Sequence, residues 1–284
     1  MEVRKAAFAG SWYPASETEC EQEIQSFLKE AGLKRDADKN FLAGIVPHAG
    51  WYYSGAIACN VINALTTGSS PDAVIVFGMH LHPNSPCYIM PAGAWNTPFG
   101  DIEIHDELAG ILVDRFSFQL ETARSFTQDN TIELQLPFVK YFFNKAKLVP
   151  IGVPPNNASL EIGRAVAEIA SELGIQVKVL GSTDLTHYGF NYGFTSHGTG
   201  PSAVDWVRNT NDRRVIDAMV AMDPEKVISE ALASDNACCS GAASTAIATA
   251  KLLGATRAET IAYATSYDKS PGDSFVGYVG IVFE

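Results

Sequence analysis

Four of the chain's six histidines sit just past short apolar runs. Pro47-His48-Ala49-Gly50 follows the run from Phe41 to Val46, and Gly78-Met79-His80-Leu81-His82 follows Ala73 to Phe77. Ser182-Thr183-Asp184-Leu185-Thr186-His187 follows Val177 to Leu180. One histidine in such a place is equally well explained as a hydrogen-bonded pocket wall. Three such places together favour a shared site. Neutral imidazole ligates Zn, Cu, Fe and Ni. Two histidines with one anionic ligand leave positions open, as in non-haem Fe(II) oxygenases.

The anionic ligand has a thiolate candidate in Asp235-Asn236-Ala237-Cys238-Cys239-Ser240-Gly241, which ends where a helix begins. Backbone N–H groups and the dipole at a helix N-terminus lower a thiol's pKa. The alternative is a pair of small buried cysteines, a common fate for the residue. Asp184 and His187 suit proton transfer or the orientation of a ligating histidine. Asp184 could equally cap a turn.

The elements that must position these residues are legible from period and punctuation. Phe41 to Val46, Ala73 to Phe77, Cys87 to Met90, Lys147 to Val153 and Val177 to Leu180 read as strands. Glu259 to Ala264 and Phe275 to Phe283 read as two more. Helices are expected from a capping box at Ser16-Glu17-Thr18-Glu19 to about Gly32, and over Gly55 to Leu65, Asp106 to Phe116 and Ser159 to Leu173. Further helices are expected over Arg213 to Met222, Pro224 to Ala233 and Ala242 to Leu253. Thr131 to Phe143 has helical spacing that Pro137 must kink or divide. Strands alternating with helices imply an α/β fold with a central, mostly parallel or mixed sheet and helices on both faces. In such sheets function gathers past the carboxyl ends of strands, where the histidines lie.

Composition narrows the classes. The chain has 284 residues, a length compatible with one domain over 1–284, and is 46% hydrophobic and 18% charged, as in globular proteins. No apolar run approaches the ~20 residues of a membrane span, and no secretion signal is visible at Met1-Glu2-Val3-Arg4-Lys5. A net charge of −12 disfavours binding to a phosphate backbone. Five cysteines in irregular spacing argue against a disulfide framework and for a reducing, cytoplasmic setting. There is no phosphate-binding Gly loop, no Gly-x-Ser-x-Gly elbow and no zinc-ribbon spacing. His105 and His197 read as surface residues without partners. Trp12, Tyr13, Trp51, Tyr52 and Tyr53 fit either an aromatic pocket beside His48 or the core.

An ordered set of segments resembles the Memo family, also called AmmeMemoRadiSam system protein B, nearly end to end. It comprises Ala9-Gly10-Ser11-Trp12-Tyr13-Pro14, Pro47-His48-Ala49-Gly50 with Tyr53 and Gly55, the Gly78 to His82 loop, and Thr97-Pro98. It continues through Ile132-Glu133-Leu134-Gln135-Leu136-Pro137, Ser182-Thr183-Asp184 with His187, Cys239, Tyr263 and Asp273-Ser274. The family is similar in fold to class III extradiol ring-cleaving dioxygenases. The resemblance implies His48, His80 and Cys239 as metal ligands, with Asp184 and His187 as pocket residues that carry catalysis. It implies a divalent ion, Fe(II) first. A thiolate in place of the carboxylate of ring-cleaving enzymes lets Cu or Zn compete. Two departures matter. The loop at Gly78 is one residue shorter than the family's Gly-Pro-Asn-or-Ser-His, and the phase of Pro83 and Cys87 selects His80 over His82. Asn130 stands where the family often has histidine.

Two functions follow as expectations. One is a metal-dependent, dioxygenase-like oxidoreductase acting on a small, phenolic molecule. The other is a non-catalytic adaptor that binds metal or peptide, as members of the family are described. A hydrolase using Cys239 with His187 as base lacks an elbow or oxyanion signal. Neither nucleic acid nor membrane is an expected partner, and homo-oligomerisation stays open.

Overall fold

The apolar runs form the middle of a mixed sheet flanked by helices on both sides, an α/β architecture. The computed structural model describes residues 1–31 and 39–284. Among them nine strands share one sheet. Its centre is four parallel strands in the spatial order Ala43–Val46, Val177–Ser182, Ala73–Gly78 and Lys147–Gly152. Their near-continuous apolar character reflects burial on both faces; every residue of Ala73–Gly78 is buried.

Antiparallel strands close the sheet. Ser274–Phe283 pairs with Ala43–Val46, and both Ala258–Thr265 and His187–Gly189 pair with Ser274–Phe283. Cys87–Ile89 runs antiparallel to Lys147–Gly152 and carries Phe118–Leu120 beyond it. A smaller sheet joins Val3–Arg4, Ala94–Thr97 and Gly100–Glu103.

Two glycines show how closely the helices approach. Gly44 and Leu180 are register partners and share a face, so Gly181 faces the other way. A Cβ on Gly44 would lie 2.4 Å from Val61 Cγ1, and one on Gly181 2.8 Å from the Ala242 carbonyl. Helix Trp51–Ala64 therefore packs on one face, and helix Ser240–Leu252 on the other. The latter is rich in Ala, Ser and Thr and buried through most of its length.

Several boundaries differ from those read in the sequence. The helix expected over Gly55 to Leu65 begins at Trp51, because Gly50 ends the extended segment there. The stretch from Thr131 to Phe143 divides into Asn130–Glu133 and Leu136–Phe142. Pro137 sits in the first turn of the second helix, where its missing N–H is not needed. The Ser16 cap forms, with Glu19 N–H donating to Ser16 Oγ at 3.3 Å. Its helix spans Glu17–Ala31, and the expected end at Gly32 lies outside the described residues. No helix among the described residues is long and apolar enough to cross a membrane.

Candidate metal centre

The parallel strands end on one side, and their following residues converge there. His48 lies two residues beyond Val46, His80 two beyond Gly78 and Asp184 two beyond Ser182. Met79, just before His80, holds a left-handed φ of 74°. Such a backbone persists only where surroundings fix it; here Met79 N–H donates to Thr131 Oγ1 at 2.7 Å. The cysteine segment is stitched to the third strand end. Cys238 N–H donates to the Asp184 carbonyl at 3.1 Å and Cys239 N–H to Thr183 Oγ1 at 3.1 Å.

The result is a cluster of His48, His80, Cys238 and Cys239 with potential ligand atoms all within 4.8 Å of one another. The spacing fits a tetrahedral ion. Sulfurs ~2.3 Å from such an ion stand ~3.8 Å apart, and a sulfur and an imidazole nitrogen ~3.5 Å apart. Cys238 and Cys239 Sγ are separated by 3.7 Å, and Cys238 Sγ lies 3.3 Å from His48 Nε2.

Neighbouring groups fix which nitrogen of each histidine faces the cluster. Ser182 Oγ donates to the Thr131 carbonyl at 2.7 Å, so it accepts from His48 Nδ1–H at 3.0 Å. Asp129 Oδ2 accepts from His80 Nδ1–H at 3.0 Å and from the His80 backbone N–H at 3.1 Å. Both rings thus carry their fixed proton on Nδ1 and direct Nε2 inward, the outer-shell arrangement common to metal-ligating histidines. His82 is turned to its own loop, its Nδ1 accepting from Asn84 N–H at 3.3 Å.

The cluster is strongly polarised. Burial opposes charge on His48, but Asp184 and Cys238 outweigh it and raise its pKa. Burial likewise opposes charge on His80, yet Asp129 and Cys238 push it up to about 10. Burial disfavours ionisation of Cys238, but the Cys239 thiol and the charge of His48 hold it well below the usual thiol value. Burial and then the neighbouring Cys238 push Cys239 well above that value. The helix N-terminus was expected to lower the pKa of a thiol in this segment, and the resemblance chose Cys239. The downward shift falls on Cys238, whose Sγ lies 3.3 Å from His48 Nε2. Both sulfurs belong to the cluster, where the resemblance implied Cys239 alone.

A cavity of about 560 Å³ adjoins the imidazoles, lined among others by His48, His80, Asn130, Asp184 and His187. Asp184 is buried, and its Oδ1 accepts the His48 backbone N–H at 2.7 Å. Burial raises its pKa against the opposing pull of His48. His187 Nδ1 faces the Leu185 carbonyl at 3.1 Å, which can only accept. Its proton therefore sits on Nδ1, and Nε2 is left as a base. Asn130, in the place of the family's histidine, donates through Nδ2 to the His48 carbonyl at 2.8 Å.

The aromatic group divides. Tyr13 and Trp51 are core, with Trp51 stacked on Phe138 at 4.1 Å, while Trp12, Tyr52 and Tyr53 line the cavity. His105 caps helix Asp106–Arg115 by accepting Leu108 N–H, and His197 stacks on Trp206 at 3.7 Å. Reading the sequence missed Asp129. Its signal was faint: a carboxylate beside Asn130, joined to His80 across 49 residues. Removing an outer-shell carboxylate costs metal affinity about 10–100-fold. Asp129→Asn is expected to show that loss at pH about 9 in a chelator competition, with His82→Ala close to unchanged.

Comparison with known proteins agrees with the resemblance read from the motifs. The family model described as Memo-like protein matches residues 4–282. A MEMO1 family protein of Thermococcus onnurineus is 33% identical over 290 residues, covering 99% of each chain. One from Pyrobaculum arsenaticum is 33% identical over 293 residues, with 100% of this chain and 99% of the other covered. One from Methanopyrus kandleri is 33% identical over 294 residues, covering 99% of this chain and 98% of its own. Among solved structures, the uncharacterized protein JW3007 from Escherichia coli K12 aligns with a TM-score of 0.58 at 11% identity. The alignment covers 86% of this chain and 100% of that one, and the likeness concerns the fold alone. With both its motifs and its full length accounted for in this way, the chain belongs to the Memo-like family.

Proposed function

We propose that the protein is a metal-dependent oxidoreductase acting on a small aromatic molecule held beside His48 and His80. One observation carries this reading: a four-donor cluster adjoins a cavity that also holds Asp184 and His187. The resemblance to extradiol dioxygenases supports it. Two sulfurs move the metal preference from Fe(II) toward Zn or Cu. A bound ion supplies Lewis acidity and, if redox-active, electron transfer. His187 Nε2 removes the proton from a phenolic hydroxyl. Asp184 holds the His48 backbone in place and offsets positive charge in the cavity. Trp12, Tyr52 and Tyr53 flank the ring.

The second sulfur favours a different reading. Four protein donors close a tetrahedral site, as in structural rather than catalytic centres. That arrangement suits a non-catalytic metal-binding adaptor. The test is metal content of protein purified without added metal, followed by phenol turnover in air and under anaerobic conditions. Stoichiometric metal, turnover in air, and loss of turnover in His187→Ala with metal retained are the expected results. Full metal occupancy with no turnover across the phenols in air would leave the adaptor reading.

A further inference from the structure

The centre has two different faces. The 560 Å³ cavity touches His48 and His80, whereas a second cavity of about 620 Å³ touches Cys238. Cys238 does not line the first, and neither ligating imidazole lines the second. His187 and Tyr192 line both. Their rings meet edge to face at 5.0 Å and form part of the wall between the cavities. Cys239 lies behind this arrangement, 3% exposed, whereas Cys238 is only half-buried.

The second cavity is mixed in character, with Leu81, Pro83, Leu185, Phe194 and Leu232 on its wall beside His82, His187, Asp235 and Ser240. Its volume is that of a small-molecule site. Cys238 supplies the sulfur donor on its wall, beside the imidazoles of His82 and His187.

We propose that this second cavity admits a soft cation, Cu(I) or Zn(II), carried by a low-molecular-weight thiol, and that Cys238 is the exchange ligand. The inference rests on the metal-binding part of the proposed function. It leaves the first cavity free for a substrate. The exchange is ligand substitution without redox change. A Cys238 sulfur–metal bond forms and a carrier sulfur–metal bond breaks, and the departing carrier thiolate takes up a proton. His48, His80 and Cys239 then replace the remaining carrier ligands. Four donors within 4.8 Å make that second step short. Thiolate ligation selects soft cations, so Mg(II) and Ca(II) are outside the class.

The test compares two obstructions on metal-free protein. Leu232 is 52% exposed on the wall of the second cavity, and Ser270 is exposed on that of the first. Each is changed to tryptophan, and Cu(I) transfer from glutathione is followed by stopped flow beside an equilibrium affinity measurement. Leu232→Trp is expected to slow transfer about tenfold or more, an ordinary span for an association rate within one variant series, with equilibrium affinity retained. Ser270→Trp is expected to transfer at the parent rate. Slowing by Ser270→Trp alone, or parent rates in both variants, overturns the route while leaving the metal site standing. Failure of the unmodified protein to take up Cu(I) would instead sink the metal-binding reading itself. Cys238→Ser separates wall from ligand. In the proposed route it transfers slowly even with the cavity open; a parent rate in that variant removes Cys238 from the path.

Discussion

Metal affinity is expected to fall by about two to three orders of magnitude in Cys239→Ser and by a comparable amount in Cys238→Ser. Structural tetrahedral zinc sites bind with ~10–16 kcal/mol, so one of four ligands is worth about 2.5–4 kcal/mol. A serine hydroxyl replaces little of that for a soft ion. Cobalt(II) substitution gives the direct readout. Sulfur-to-metal charge transfer should weaken in each single variant and vanish in the double variant. The tetrahedral edge of 3.7 Å between the sulfurs is the reason to expect both. Loss in Cys239→Ser with parent absorption in Cys238→Ser would mean one sulfur ligand. The centre would then be a three-ligand site with an open position, which favours the oxidoreductase over the adaptor. Parent affinity in both variants would sink the thiolate centre altogether.

The difficulty of choosing between these cysteines in the sequence has a physical origin. His48, Asp184 and His187 were readable because each follows a buried parallel strand, and parallel strands end together. Side-chain direction at a helix start is set by backbone torsions that residue types do not reveal. Here Asp235 takes a left-handed φ of 48°, and Cys239 sits at φ −126° and ψ 51° before the first helical turn. Those torsions bring both sulfurs inward. Asp129 was hidden for a related reason. It acts through a contact with His80, across the gap between two chain segments with no shared period. Val3–Arg4 was equally silent, because it pairs across the chain with Ala94–Thr97, and the local hairpin of Ala94–Thr97 with Gly100–Glu103 is too short to show a period. The long apolar strands came from a period local in sequence, whereas the choice of His80 over His82 rested on the resemblance, through the phase of Pro83 and Cys87 with the family's loop.

Metal affinity is also expected to rise steeply with pH, and the metal-free cluster determines by how much. Coordination needs the Nε2 lone pairs of both histidines and the thiolates of the cysteines. His80 is pushed up to about 10, and His48 and Cys239 are also raised. His80 and Cys239 therefore each hold a proton near neutrality that an arriving cation must displace, and the upward shift of His48 adds to that displacement. Cys238 is held well below the usual thiol value and contributes least to that release. Every proton displaced steepens the dependence by about tenfold in affinity per pH unit. Three displaced protons set a ceiling of about a thousandfold per unit. Competition against a chelator of known proton affinity, from about pH 6 to 9, measures the slope, and the buffer dependence of the binding heat counts protons independently. More than one proton is expected near pH ~7.5, all released and none taken up. Asp129→Asn provides the internal check. Its carboxylate raises the His80 pKa, so removing it should flatten the slope while weakening His80 as a ligand. The affinity loss in that variant should accordingly be largest at alkaline pH and shrink as pH falls. A parallel displacement of the two curves, with equal proton counts, would show that Asp129 leaves the His80 proton unaffected and only holds the ring in place.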